Sequence, residues 1–265
     1  MRFRTIFLAA AAIAPSAALL SCRAPERATS VVEGRRIVDL TYPLNERGPF
    51  WPGTGYFPFR AEVIADFETH GVFSRAYSTP EHLGTHVDAP VHFEKGEASL
   101  DAIPVERLFG PGIVFDISDR ARLDPDATLG IDDVTAFEIA HGRVPEGAIV
   151  FLRTGWSDRW DEPERYRNAD ASGVMHFPGY SASAVDFLAR QRRVSALGID
   201  TLSVDPGVSS EYGAHHAGNR LGLYFVENAA RLAELPPRGF EVIVAPIKIE
   251  GGSGGQARIF ALVPR

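Results

Sequence analysis

His82-Leu83-Gly84-Thr85-His86-Val87-Asp88-Ala89-Pro90-Val91-His92 places three imidazoles and one carboxylate within eleven residues of a chain that has only eight histidines. Neutral imidazole with carboxylate is the donor set that divalent transition metals take, so the stretch reads as a metal site and the chain as a metal-dependent hydrolase. Counted from His82, the offsets of His86, Asp88 and His92 are four, six and ten, and on an extended strand even offsets project from one face. A helix would scatter these side chains and would not hold Pro90 in its interior. A fully extended chain, however, would set His82 and His86 roughly 13 Å apart, too far to share one ion, so the backbone must turn between them. Gly84 is the residue suited to that turn, while His86 and Asp88, about 7 Å apart, can share an ion without distortion. His92 lies beyond Pro90 and is better placed to carry protons, since its ordinary pKa near 6.5 suits acid and base work at neutral pH.

Outward from this stretch, apolar or β-branched runs recur at Arg36 to Leu40, Gly112 to Ile117, Ala148 to Thr154, Ala196 to Ile199, Leu221 to Glu227, Glu241 to Ile249 and Ala257 to Val263. Helices are predicted at Ile131 to His141, opened by Asp132 and Asp133, and at Ser181 to Gln191, capped by Ser181 or Ser183. A third is predicted between Glu227 and Leu235, stopped by Pro236-Pro237. No repeat or Pro/Ser-rich linker interrupts residues 37–265, which read as one α/β domain with a mixed-sheet core and flanking helices.

A second informative stretch, Ser209 to Ala230, contains the adjacent pair His215-His216 and ends an apolar run on Glu227. A carboxylate at a strand terminus is well placed for a site, whereas the histidine pair by itself fits a surface turn after Gly213 equally well. Phe50 and Trp51 are candidates for contact with an aromatic ring, or ordinary core aromatics. Asp200 and Asp205 follow an apolar strand and stand as candidates to support the ligands from behind. His70 and His141 read as solvated, and His176 as a pocket-lining or packing residue.

The N-terminus reads as a targeting segment. Arg2 and Arg4 precede an apolar stretch from Ile6 to Leu20 that has the length of a secretory core and is short for a membrane span. Leu19-Leu20-Ser21-Cys22 resembles a bacterial lipobox, and Cys22 is the only cysteine. Residues 1–21 are thus expected to be a cleaved signal peptide and residues 22–36 a lipidated tether, with residues 37–265 facing the periplasm from the bacterial envelope.

Composition narrows the alternatives. With 45% hydrophobic and 23% charged residues the chain is ordinary globular protein, and a net charge of −7 without a basic run excludes nucleic acid as a partner. The lone Cys22 leaves Cys/His catalysis without a candidate. Ser253, in Gly251-Gly252-Ser253-Gly254-Gly255, lacks the following helix of a nucleophile elbow, and no Gly-Lys-Ser/Thr follows to make a P-loop. That glycine run reads as a tight turn between two strands.

The motif HLGTHVDAP with His92-Phe93 resembles the HxGTHxDxPxH signature of the cyclase superfamily of metal-dependent hydrolases, whose branches include kynurenine formamidases and isatin hydrolases. The resemblance extends over nearly the whole mature chain through Trp51-Pro52-Gly53, Arg153-Thr154-Gly155-Trp156 and the spacing from His215 to Glu227. It implies a swivelling β/β/α cyclase-like fold, a homodimer or larger homo-oligomer, and one or two manganese or zinc ions. His82, His86 and Asp88 would bind the first ion and His92 would act as acid and base. In two-metal members Asp88 and Glu227 would contact both ions and His215 the second. Pro246-Ile247-Lys248-Ile249 leading into the glycine run and Arg258 is similar to the isatin hydrolase branch. The resemblance therefore implies opening of a small cyclic aromatic amide by metal-activated water, with N-formylkynurenine hydrolysis as the alternative. A metal- or ligand-binding envelope lipoprotein without catalysis is the distant third.

Overall fold

The computed structural model describes residues 32–265. The expected signal peptide, Cys22 and the tether as far as residue 31 lie outside the described residues. In chain order, β1 (Arg35–Asp39) precedes a separate hairpin of β2 (Arg60–Ala65) and β3 (Ser74–Ser78) joined through α1 (Phe67–His70), and then β4 (His86–Asp88). The middle of the chain alternates: β5 (Phe109–Asp116), α2 (Ser118–Leu123), β6 (Thr128–Leu129), α3 (Ile131–His141), β7 (Ile149–Arg153), α4 (Pro163–Arg167), β8 (Gly179–Tyr180), α5 (Ala182–Phe187), β9 (Ala196–Ile199), α6 (Gly213–Asn219) and β10 (Tyr224–Glu227). Two long strands, β11 (Arg238–Pro246) and β12 (Gly254–Pro264), end it.

Eight strands form one mixed sheet in the order β1-β12-β11-β5-β7-β9-β10-β4, and β4 pairs with β12 as well, so seven of them close into a barrel. β5, β7, β9 and β10 run parallel, as strand–helix–strand connections require. Side-chain alternation then splits the apolar residues into two cores. Val114, Ile149, Phe151, Val226, Val242 and Ile259 share the first. Ile113, Phe115, Val150, Leu152 and Leu197 face the other way and pack against Val134 of α3, Val185 of α5 and Ala217 of α6. A strand buried on both faces shows no alternation of polarity, which is why Ile149 to Leu152 is a continuous apolar run.

Most predicted elements are present. α3 spans the expected Ile131–His141, its start fixed by Asp133, whose carboxylate accepts from the Gly130 N–H at 2.8 Å. Ser181 caps α5, which passes at Leu188 into a π-helical turn ending at Arg192. The helix expected between Glu227 and Leu235 is absent. Asn228 and Arg231 adopt left-handed backbone (φ 55° and 57°), and only a 3-10 turn over Leu232–Glu234 forms before the prolines. The expected tether also ends earlier than Arg36, because Arg35 and Arg36 already pair with Pro264 and Val263. Among the described residues no helix is long and apolar enough to cross a membrane.

Candidate metal centre

The motif folds around a three-residue strand. β4 lies between β10 and β12, with His86 opposite Glu227 and Gln256, and Asp88 opposite Phe225 and Gly254. His86 and Asp88 therefore project together, and both are buried. The turn expected at Gly84 is present (φ 65°), and it swings His82 back over the strand. His92 ends a 3-10 turn begun at Pro90, and its ring stacks on that of His82 at 3.8 Å. Glu227 reaches the same point as the last residue of β10, and His215 from α6.

These groups converge on Asp88. His82 Nδ1 lies 2.6 Å and His86 Nε2 3.0 Å from Asp88 Oδ1, while His215 Nε2 is 3.2 Å from Oδ2. Glu227 stands 3.5 Å from His86 Nε2 and 3.4 Å from His215 Nε2. Ligand atoms of His82, Asp88 and His92, and again of His86, Asp88 and Glu227, lie within 4.8 Å of one another. His92 thus sits inside one ligand-spaced group, closer to the centre than its position beyond Pro90 suggested.

The donor chemistry fits a divalent ion. His86 Nδ1 donates to the Gly84 carbonyl at 2.9 Å, which turns Nε2 toward the carboxylates, and that nitrogen is buried without a hydrogen-bond partner. Burial alone would lower the basicity of His86, yet the charge of the adjacent Asp88 carboxylate, with that of Glu227, raises it to about 9. Burial and the Asp88 charge raise Glu227 above the usual carboxylate range. Two carboxylates held together out of water call for positive charge between them, which a proton or a metal can supply. Burial, with His82 and His215 adding to it, pushes His92 down to about 3 and keeps its imidazole neutral.

Several supporting groups hold the ring nitrogens. Asp205 accepts from His215 Nδ1 at 2.6 Å and also from the Ala214 N–H, so one carboxylate orients the imidazole and starts α6. Asp200, the other acid singled out in the sequence, accepts instead from Thr154 and Gly155 and shapes that turn without touching the cluster. Ser253 Oγ donates to Glu81 at 2.6 Å and lies 2.9 Å from His82 Nε2. The hydroxyl proton is committed to Glu81, so Ser253 orients His82 and is no nucleophile. His216 points outward to Glu94. His176 lines no part of the site and pairs with Asp126.

Above the cluster opens a cavity of about 230 Å³. Phe50 and Trp51, the candidates for contact with an aromatic ring, line it, joined by Tyr56, Phe93, Leu202, Tyr212 and Asn228, which sequence reasoning missed. Phe93 and Tyr212 stood within the quoted motifs and could have been found there. Leu202 and Asn228 follow the ends of β9 and β10, the carboxyl-terminal side where open α/β sheets place their ligands.

An aromatic cleft over a buried imidazole–carboxylate cluster, beside the carboxyl end of β10, makes this a candidate metal centre with an aromatic wall. Residues 38–206 match the family model for Cyclase. The isatin hydrolase of Roseibium aggregatum is 34% identical over 193 residues, covering 70% of this chain and 73% of that protein. The kynurenine formamidase of Geobacillus thermodenitrificans is 25% identical over 221 residues, covering 83% of this chain and 94% of its own length. The crystal structure of an isatin hydrolase bound to the product analogue thioisatinate superposes with a TM-score of 0.84 at 29% identity, covering 88% of this chain and 94% of that one. This chain belongs to the Cyclase family.

Proposed function

We propose that this protein opens a small cyclic aromatic amide of the isatin type by hydrolysis. The observation that carries the reading is the cavity of about 230 Å³ whose wall holds Phe50, Trp51, Phe93 and Tyr212 on one side and His82, His86, His92 and Glu227 of the candidate centre on the other. Deformylation of N-formylkynurenine is the second reading, favoured by the formamidase relatives.

His82, His86 and Asp88 would hold one manganese or zinc ion, and Asp88, His215 and Glu227 a second. A metal bound there would supply Lewis acidity toward the amide carbonyl and would lower the pKa of water. The protein's own groups do the rest. Phe50 and Trp51 orient the ring by stacking, and the buried floor excludes bulk water. His92, stacked on His82 within the ligand-spaced group, takes the proton that water loses as it adds to the lactam carbonyl, then returns it to the ring nitrogen as the carbon–nitrogen bond breaks. Ring opening leaves one carboxylic acid, which gives up its proton to solvent to become the carboxylate, and one aromatic amine, still joined.

The test is a comparison of manganese- or zinc-loaded protein on isatin and on N-formylkynurenine. Metal-dependent isatin opening is expected to be faster, to vanish with His86→Ala together with metal uptake, and to fall with His92→Ala while metal content stays. Faster deformylation would overturn the choice of substrate.

The outer placement follows the sequence alone: export, with Cys22 acylated and the domain held at the periplasmic side of the envelope. Mass spectrometry of the membrane fraction for a diacylated Cys22 peptide checks it. Assembly as a homodimer or larger homo-oligomer is supported by the β2–β3 hairpin, which carries exposed Val63, Ile64, Phe67, Phe73 and Tyr77 outside the barrel sheet.

A further inference from the structure

The residue after the last proposed ligand has a geometry that its neighbours do not explain. Asn228 is buried, with 2% of its surface exposed, and takes left-handed backbone at φ 55°, a conformation that asparagine tolerates better than most side chains. Every polar group it owns is engaged, with partners on three other segments of the chain. Its N–H donates to Thr201 O at 3.0 Å, and its carbonyl accepts from Thr85 Oγ1 at 2.7 Å. The side-chain oxygen accepts from Tyr166 OH at 3.0 Å, and Nδ2 donates to the Gly84 carbonyl at 2.9 Å.

The last of these bonds is the one that matters chemically. The Gly84 oxygen also accepts from His86 Nδ1 at 2.9 Å. A carbonyl can only accept, so the nitrogen facing it must carry hydrogen, and Nε2 is the one left toward Asp88 and Glu227. A carbonyl oxygen has two acceptor sites, and Asn228 occupies one while the imidazole occupies the other. Gly84 itself takes a left-handed turn, and among the described residues its carbonyl accepts from no backbone N–H.

We infer that Asn228 is a positioning residue for the metal centre: its amide fixes the Gly84 carbonyl, which holds the His86 Nδ1–H and reserves Nε2 for the ion. The inference rests on the metal reading above and deepens it. It explains why an asparagine, able to donate and accept at once, stands where the chain leaves β10: the Gly84 carbonyl can only accept and so sets which way round the amide sits, while the Tyr166 hydroxyl, its proton shared with the Asp200 carbonyl, faces the amide oxygen. Disturbing such a support costs metal affinity without removing a ligand.

The test uses the full-length protein without metal and follows the His86 Nδ1–H by imidazole-tuned proton–nitrogen NMR, then titrates manganese and zinc calorimetrically. The wild type is expected to show a solvent-protected Nδ1–H on His86. Asn228→Gly keeps the left-handed backbone accessible and removes the amide; it should retain its fold by near-ultraviolet circular dichroism, lose that protection and bind metal about 10- to 100-fold more weakly. Asn228→Asp, which still accepts from Tyr166 but cannot donate to Gly84, should lose the protected proton too, and it supplies the reading if the glycine variant does not fold. A protected Nδ1–H with unchanged metal affinity in a folded Asn228→Gly protein would overturn the inference, as would a wild type whose His86 lacks that proton. A wild type that binds neither ion refutes the metal reading itself, whatever its imidazole signal.

Discussion

An imidazole has two nitrogens, and in this centre the partner of one decides the use of the other. His215 shows this most simply, since Asp205 takes its Nδ1 at 2.6 Å and aims Nε2 at Asp88 and Glu227. Asp205→Asn would leave the packing in place but offer an amide that can turn either end to the ring. Metal affinity at the site that includes His215 should fall about 10- to 100-fold, read by calorimetry, with the fold unchanged. The proposed ligands on β4 could be singled out from the sequence because their logic is local: even spacing, a glycine to turn on, a proline to end the strand. Asn228 and Glu81 were not legible, because each acquires its role only from a residue far along the chain. Ser253 was read correctly as part of a turn, but its contact with His82 depends on β12 lying against β4.

At the scale of elements, the parallel strands depend on one close approach. Gly198 of β9 lies under the Phe151 ring of β7, where an added Cβ would stand 2.5 Å from a ring carbon. Gly198→Ala should cost about 1–3 kcal/mol, seen as a lower midpoint in denaturant unfolding, because neither strand can shift without breaking its ladder. Two loops carry a separate, pH-dependent tie. Asp126 accepts from His176 at 2.9 Å, and this bond raises the imidazole above its ordinary 6.5. A raised folded-state pKa means that the contribution is fully present below about 6.5 and is lost as pH rises through the higher folded value. The thermal midpoint should therefore drop over that interval in the wild type, and less so in Asp126→Asn. Long, two-faced strands and the acid-started α3 were readable from sequence. α6 was not, because it is short, opens on a left-handed Tyr212 (φ 48°) and takes its cap from Asp205, well before it in the chain.

At the scale of the whole molecule, the hairpin of β2 and β3 stands outside the barrel sheet and pairs only with itself. A lone two-stranded ribbon is marginal in water, and one bearing exposed Val63 at 56%, Ile64 at 58% and Phe67 at 67% gains by being covered. If a second copy covers it, Ile64→Glu should convert the assembly to monomers in light scattering without unfolding the barrel; a wild type already monomeric would remove that reading.

Barrel closure has a consequence for how the molecule opens. β4 is the strand through which the sheet meets itself, and its three residues include two of the proposed ligands, with Glu227 on the neighbouring strand. The clasp of the ring and the seat of the ion are thus the same few peptides. An ion held there would pin the seam, so the amides of Val87 and its partners should pass from early to late in hydrogen exchange when metal is added, by an amount set by the ion's own affinity. In a protein built this way, loss of an ion from the centre is expected to show first as faster exchange along β4, at the seam that closes the barrel.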